Sequence, residues 1–526
     1  MKITFYGAAR TTTGACYLVD TGEQRLLIDC GLFQGAKNIK ERNYGSFPFD
    51  PGSIDFLLLT HAHIDHSGLI PKLYKHGYQG PVICTSATFE LCSVLLQDSG
   101  YIQEMEVERK NRKLRRSGQP LLEPIYTSLD AQNCLKYFHP INYDEFWEIY
   151  PGITIRFRDA GHILGSSIIE LWIASKEGNC KFVFSGDLGN KDQPLVNDPT
   201  PIDFADFLII ESTYGARHHS EKIDRLEALK QVIHETFQKG GNLIIPAFAV
   251  ERTQDLLYDL HRLIERGDIK GQDIYIDSPL AISATEIFCR NYDYFDAEAT
   301  ELRRSKGGTC PLYLPGLRFC RTVEESIALN KIQSGAIIIS ASGMADAGRI
   351  KHHLKHNLWR PESTVLFVGF QAEGTLGRRL LEGEKIVRIH GEEIMVKADI
   401  RNLDGFSAHA DQTGLLKWAK QFKVPPRKIF ITHGEEKGSI ALAGILAEHL
   451  NTEVIVPHWL EEFDLTGDLR KEIPLETEIN AEVLRQLSQQ VQEKLNRLIA
   501  GDIDMEKSCE IFNLLKRLQS ELNEVS

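Results

Sequence analysis

Residues 56–69 read FLLLTHAHIDHSGL, and the interpretation of the whole chain turns on them. Phe56 to Leu59 form a short apolar run suited to a buried strand, and a helical pattern follows Ser67 and Gly68. Between them stand His61, His63, Asp65 and His66, four metal-binding side chains within six positions. His61 and His63 are two apart, so in an extended segment they point to the same side. Asp65 and His66 follow where the chain turns into a helix, and they can face a second centre. Imidazole suits zinc, and a neighbouring carboxylate suits a site that activates water. A lone histidine would carry little; HxHxDH after a buried strand is specific for metal.

The 526 residues exceed one ordinary core and suggest about two to four domains. With 42% hydrophobic and 25% charged residues, the composition is that of a globular protein. No run of eighteen apolar residues occurs, so no membrane span is expected. The N-terminal MKITFYGAARTTTGACYLVD lacks an apolar core and a cleavage site, and reads as a first strand rather than a signal peptide. Ten cysteines are scattered without a CxxC pair, which predicts reduced thiols and a cytoplasmic protein. The net charge of −13 gives no global attraction for nucleic acid, so a polyanion would have to be held by local features.

Short strands separated by Gly-containing turns fill residues 1–205, several of them ending in a residue able to do chemistry, such as Asp29, His61 and Asp187. From 206 to 396 strands alternate with helices, which predicts a parallel sheet covered by helices. The first style resumes over 397–463, so the middle unit is an insertion. Residues 464–526 form a helical extension, with Val483, Leu484, Leu487, Val491, Leu495 and Leu498 on one face and Ile511, Leu514, Leu515, Leu518 and Leu522 on another. This pair packs either on its own subunit or against a partner, as in a homodimer.

The motifs fall in an order that resembles the metallo-β-lactamase superfamily. Asp29 in LLIDCG matches its first motif, HAHIDH its second, His162 in AGHILGSS its third and Asp187 in FSGDLG its fourth. The chain further resembles the β-CASP ribonucleases: Glu211 in ESTYGARHH, His409 in FSAHADQ and His433 in FITHGE match their motifs A, B and C. PAFAVERTQDLL, YIDSPLAISATEIF, SASGMADAGRI and VGFQAEGTLGRRL look like the same family. The resemblance covers about residues 1–457 and implies an α/β fold, an αββα sandwich with an inserted β-CASP domain.

It also implies two Zn²⁺ ions, one held by His61, His63 and His162, the second by Asp65, His66 and His433, with Asp187 between them. Asp29 would fix the ligand loop from behind. His409 would be the general acid, oriented by Glu211, with Asp187 also positioning water. Histidine at motif C marks the RNA-acting branches, whereas the DNA-repair branch carries valine. The implied activity is hydrolysis of single-stranded RNA, endonucleolytic with 5′-exonuclease action left open, giving a 5′-phosphate and a 3′-hydroxyl. Ser340, Ser342 and Gly343 in the Gly-rich turn, and Thr375 and Arg378 after it, are candidate RNA contacts; the turn's backbone amides would hold a phosphate at a helix N-terminus. The basic run Arg109, Lys110, Arg112, Lys113, Arg115 and Arg116 reads equally as an RNA contact or a solvated helix face. The alternative function is hydrolysis of a small ester, thioester or lactam on the same scaffold.

Overall fold

The computed structural model describes residues 1–470 apart from 177, 219–223, 370, 373, 404–405 and 407; the expected C-terminal helical pair lies outside the described residues. Two seven-stranded sheets form the sandwich. In the first, the order runs Glu462–Asp464, Lys2–Phe5, Tyr17–Asp20, Arg25–Ile28, Phe56–Leu58, Val82–Thr85 and Phe138–Ile141. In the second it runs Glu453–Ile455, Lys428–Thr432, Phe207–Glu211, Gly178–Phe184, Ser167–Ser175, Ile153–Asp159 and Trp147–Tyr150. Each sheet is antiparallel on one side and parallel on the other. Arg25–Ile28 pairs in parallel with Phe56–Leu58, and Phe207–Glu211 lies parallel to both Gly178–Phe184 and Lys428–Thr432.

Alternation along the strands assembles the layers. Leu26 and Ile28 face Phe157, Phe182, Phe184 and Phe207 across the sandwich, while Leu27 turns outward to the helix Ser86–Ser117 and its neighbours. In the second sheet Ile209 faces inward, and Leu208 and Ile210 pack under the helices Gln412–Ala419 and Glu436–Leu450. Helices therefore cover both outer faces, the αββα arrangement. Side chains of this kind contribute about 1.5–3 kcal/mol each when fully buried.

The third sheet has six parallel strands, in the order Leu317–Phe319, Asp273–Ile276, Ala336–Ser340, Leu243–Pro246, Thr364–Phe367 and Asp399–Asn402. Its two faces are separate cores: Leu243 and Ile245 meet the helix Arg252–Glu265 on one side, and Ile244 and Val365 meet Ile350–Asn357 on the other. The excursion thus starts and ends later along the chain than 206 and 396. The strand ending in Glu211 is hydrogen-bonded inside the sandwich, and Asp399–Asn402 is still part of the six-stranded sheet. The sandwich also runs past 463, since Asp464 pairs with Lys2 and Arg470 exchanges backbone hydrogen bonds with Asn179.

The expectation of reduced thiols fails for one pair, Cys289 and Cys310, which form a disulfide; the seven free cysteines among the described residues are buried. No described helix is long and apolar enough to cross a membrane.

Candidate metal centre

Parallel strands leave their carboxyl ends on one edge, and that edge is where the motif residues collect. Asp29, Glu211 and His433 end or directly follow Arg25–Ile28, Phe207–Glu211 and Lys428–Thr432; Asp187 follows Gly178–Phe184, and His61 follows Phe56–Leu58 within three positions. Strand register brings Ile28 beside Leu58 and Glu211 beside Thr432. Asp29 and His433, 404 positions apart in sequence, thereby come to the same edge. Glycine allows the close approaches. A Cβ at Gly31 would sit 1.6 Å from the Asp65 carbonyl oxygen, and one at Gly189 would sit 1.7 Å from that of Gly161.

Asp29 anchors the ligand loop. Thr60 donates to it through both its backbone N–H and its hydroxyl, each at 2.8 Å, and His66 Nδ1 faces Asp29 Oδ2 at 2.7 Å. With the Thr60 hydroxyl hydrogen committed, Oγ1 accepts from His61 Nδ1–H at 3.0 Å. His61 and His66 therefore both turn Nε2 toward the cavity, the usual way a buried partner orients a ligating imidazole. Thr213 does the same for His433, donating to its carbonyl and accepting from Nδ1, each at 3.1 Å. Thr60 and Thr213 carry no motif signal of their own, beyond standing next to His61 and two residues after Glu211.

Two donor sets result. His63 Nδ1 lies 3.1 Å from His61 Nε2 and 3.2 Å from His162 Nε2, and both Nε2 atoms lie 3.6 Å from Asp187 Oδ2. His66 Nε2 lies 3.0 Å from His433 Nε2, which is 3.5 Å from Asp65 Oδ2. Asp187 Oδ1 is 3.4 Å from both His66 Nε2 and His433 Nδ1, so its two oxygens face the two sets. Donors 2.0–2.1 Å from one tetrahedral ion stand about 3.3 Å apart, which these separations match. Asp187 Oδ1, buried and without a hydrogen bond of normal geometry, is an acceptor suited to a cation.

Electrostatics favour a free lone pair at His61, His63 and His162 and a charged carboxylate at Asp65 and Asp187. Burial lowers His61 and His162 well below the ordinary imidazole range and His63 to about 4, so all three are neutral with a lone pair available near pH 7. Burial pushes the Asp65 carboxyl up, but the His433 hydrogen bond and the charges of His66 and His433 prevail, bringing it to about 2. Asp187 stays well below the carboxylate range because His433 and His66 outweigh its burial. His66 moves the opposite way: burial lowers it, and Asp187 and Asp29 raise it well above normal.

Glu211 and His409 form a pair beside Asp187. His409 Nδ1 is 3.3 Å from Glu211 Oε1 and 3.9 Å from Asp187 Oδ2. Leu188 N–H holds the same Glu211 oxygen at 2.6 Å, and Ala410 N–H donates to the Leu188 carbonyl at 2.8 Å. The motif-B segment is in this way laced to the Asp187 loop. Burial lowers His409, but the Glu211 charge and hydrogen bond, with Asp187, raise it to about 9.

The five candidate RNA contacts do not converge in this way. Ser340 ends a strand that is buried throughout, and it donates to the Asp277 carbonyl at 2.7 Å. Gly343 is buried, and its carbonyl accepts from Gln371. Thr375 caps its own short helix by accepting from Arg378 N–H, and Arg378 pairs with Glu382 one turn on. Ser342 is half-buried, its hydroxyl donating to the Ala347 carbonyl at 3.4 Å. The expected phosphate position at the start of Ile350–Asn357 is adjoined by Asp277, paired with Arg349 at 2.7 Å. The basic run lies exposed near the end of Ser86–Ser117, with Arg112 paired to Glu108.

A two-sheet sandwich with two histidine–carboxylate sets at its strand ends defines a metal-dependent hydrolase. Comparison with known proteins agrees. The metallo-beta-lactamase superfamily model matches residues 9–234, the Beta-Casp domain 253–380, and a Zn-dependent metallo-hydrolase RNA specificity domain 393–457. The chain is 36% identical to Ribonuclease TTHA0252 of Thermus thermophilus over 447 residues, covering 85% of this chain and 96% of that one. It is 33% identical to Transcription termination factor FttA of Methanosarcina mazei over 467 residues, 86% of this chain and 70% of that one. A crystal structure of a protein of unknown function from Enterococcus faecalis V583 shares the fold at 13% identity, with a TM-score of 0.51 over 88% of this chain and 99% of that one. The chain belongs to the β-CASP family of the metallo-β-lactamase superfamily.

Proposed function

We propose that the protein is a ribonuclease that hydrolyses phosphodiester bonds of single-stranded RNA with two Zn²⁺ ions. The observation that carries this is the joining of the Glu211–His409 pair and His433, all from motifs beyond HAHIDH, to the donor sets around Asp187. A lactamase or thioesterase reading leaves all three without a task. The names of the relatives support RNA as substrate, and the 33% and 36% identities run over most of this chain.

His61, His63, His162 and Asp187 would hold one ion, and Asp65, His66, His433 and Asp187 the other. Such ions supply Lewis-acid charge at phosphoryl oxygens and lower the pKa of water toward neutrality. The chain's own part is orientation and proton transfer. Asp29 and Thr60 fix the imidazoles, so the donor atoms are set before substrate arrives. Asp187 positions the attacking water. His409, protonated near pH 7, gives its proton to the leaving 3′-oxygen, and Glu211 stabilises the imidazolium until then. The products are a 5′-phosphate and a 3′-hydroxyl. We also propose that the protein is cytoplasmic and that self-association, as a homodimer, runs through the C-terminal helices.

The test is cleavage of a labelled single-stranded RNA by the purified zinc-loaded protein, alongside His63→Ala and Asp187→Ala. Wild-type cleavage abolished in both variants is expected. Equal activity of the variants sinks the mechanism, and turnover confined to lactam or thioester substrates sinks the function. RNAs carrying a 5′-monophosphate or a 5′-triphosphate separate exonucleolytic from endonucleolytic cutting.

A further inference from the structure

The strand Leu243–Pro246 lies inside the six-stranded sheet, between Ala336–Ser340 and Thr364–Phe367, and the loop after it holds one anomalous residue. Ala247, Ala249, Val250 and Glu251 are all buried, yet Phe248 between them is 43% exposed. Its backbone is not loose. Ala247 N–H donates to the Ser340 carbonyl at 3.1 Å, and Thr253 Oγ1 donates to the Phe248 carbonyl at 2.7 Å. The chain therefore holds a large apolar ring out toward solvent on a fixed support.

Two glycines shape the seat beneath that ring. A Cβ on Gly343 would come within 2.9 and 3.0 Å of Phe248 Cδ2 and Cε2, and one on Gly369 would lie 4.0 Å from Cε2. These glycines follow the neighbouring strands Ala336–Ser340 and Thr364–Phe367, so the ring rests on the peptide groups of two adjoining strand ends. The carboxyl ends of parallel strands are where open α/β sheets take their ligands.

The loop also leads toward the metal centre. Four residues on, the Arg252 guanidinium lies 5.4 Å over the ring of Phe406, three positions before His409. Phe248 therefore stands four residues from a side chain seated on the segment that carries His409.

We propose that Phe248 is a stacking platform for one nucleobase of the RNA near the scissile phosphate. This deepens the ribonuclease reading and rests on it. Every base offers a π-face, so a single exposed ring holds the strand without selecting sequence. Such a contact suits a chain whose net charge of −13 gives RNA no general attraction.

The experiment is a cycle between protein and RNA, using zinc-loaded protein and a phosphorothioate-linked oligonucleotide that reports binding separately from cleavage. Phe248→Ala is expected to weaken binding about tenfold. Removing the base at one fixed position from the cleavage point is expected to do the same to the wild type. Combined, the two changes cost no more than either alone. Phe248→Tyr retains binding, while Phe248→Leu, which keeps an apolar side chain over Gly343 but no π-face, does not; this comparison holds even where the alanine variant folds poorly. Additive losses at every abasic position overturn the proposal, as does wild-type binding by Phe248→Leu. In those cases wild-type cleavage persists and the ribonuclease reading stands. A wild type that neither binds nor cuts RNA overturns both.

Discussion

His409 alone among the converging imidazoles is both raised to about 9 and 21% exposed at its side chain, which suits it to the proposed role of general acid. A general acid works while protonated, so a group of this kind donates across neutral pH and fails as pH rises through its pKa. Activity is therefore expected to fall on the alkaline side. Glu211→Gln removes the largest of the influences that raise His409, so the alkaline limb of kcat/KM should move to lower pH with bound zinc unchanged. A limb that stays in place contradicts the pairing. His409→Ala should cost about 10²–10⁴ in kcat. Asp29 acts one step further back. Asp29→Ala frees Thr60 and the His66 ring together, and zinc affinity measured by chelator competition should drop about 10–100-fold; unchanged affinity would leave Asp29 a loop residue only.

The sheets show how their elements tolerate buried charge. Glu170, on Ser167–Ser175, is buried and pairs with Arg156 at 2.6 Å and Lys181 at 2.8 Å on the two flanking strands. Burial pushes its carboxyl up, but Lys181 and Arg156 prevail and hold it below the ordinary value. The folded state thus favours the charged form. Its stabilisation is present above the normal glutamate pKa of about 4.3 and is lost as pH falls through the depressed one. Glu170→Ala removes the buried carboxylate that Arg156 and Lys181 share, and a loss of about 3–5 kcal/mol is expected in denaturant unfolding near pH 7. A loss below 1 kcal/mol, about that of an exposed pair, would show water reaching the network. The elements themselves were largely legible in the sequence, since Val, Ile and Leu runs ending at chemical residues mark the sandwich strands. The place where the chain leaves the sandwich was not. Phe207–Glu211 and Ala336–Ser340 are both buried throughout and both lie in parallel pairing, so neither shows an alternation that tells its sheet. The burial of Ser340 was hidden for a related reason, as a strand buried on both faces carries no polar–apolar pattern at its last residue.

At the scale of the molecule, the metal motifs were readable because their ligand chemistry is local, and their union was readable only through resemblance, because it depends on which strands become neighbours. The sandwich closes on its own last residues. Glu462–Asp464 completes the first sheet against the N-terminal strand, Lys428–Thr432 brings His433 to the centre, and Arg470 bonds Asn179 in both directions. Each of these contacts lies within residues 1–470. A chain ending at 470 should therefore fold, hold zinc and cut short RNA at the full-length rate, while a chain ending at 452 loses Glu453–Ile455 and the closing strand and should not fold. Sedimentation of the two folding forms then tests self-association, with a dimer in the full-length chain and a monomer at 470 as the expected pair. A truncated chain that stays dimeric places the contact on the sandwich or the inserted sheet. Metal removal adds a separate measure of the centre. Chelation should lower the melting midpoint without unfolding the protein at 25 °C, because the layers rest on apolar packing and the ions add only RT ln(1 + [L]/Kd), about 2.7 kcal/mol at a hundredfold excess over Kd. Complete unfolding on chelation would mean that the strand ends depend on the ions that they hold.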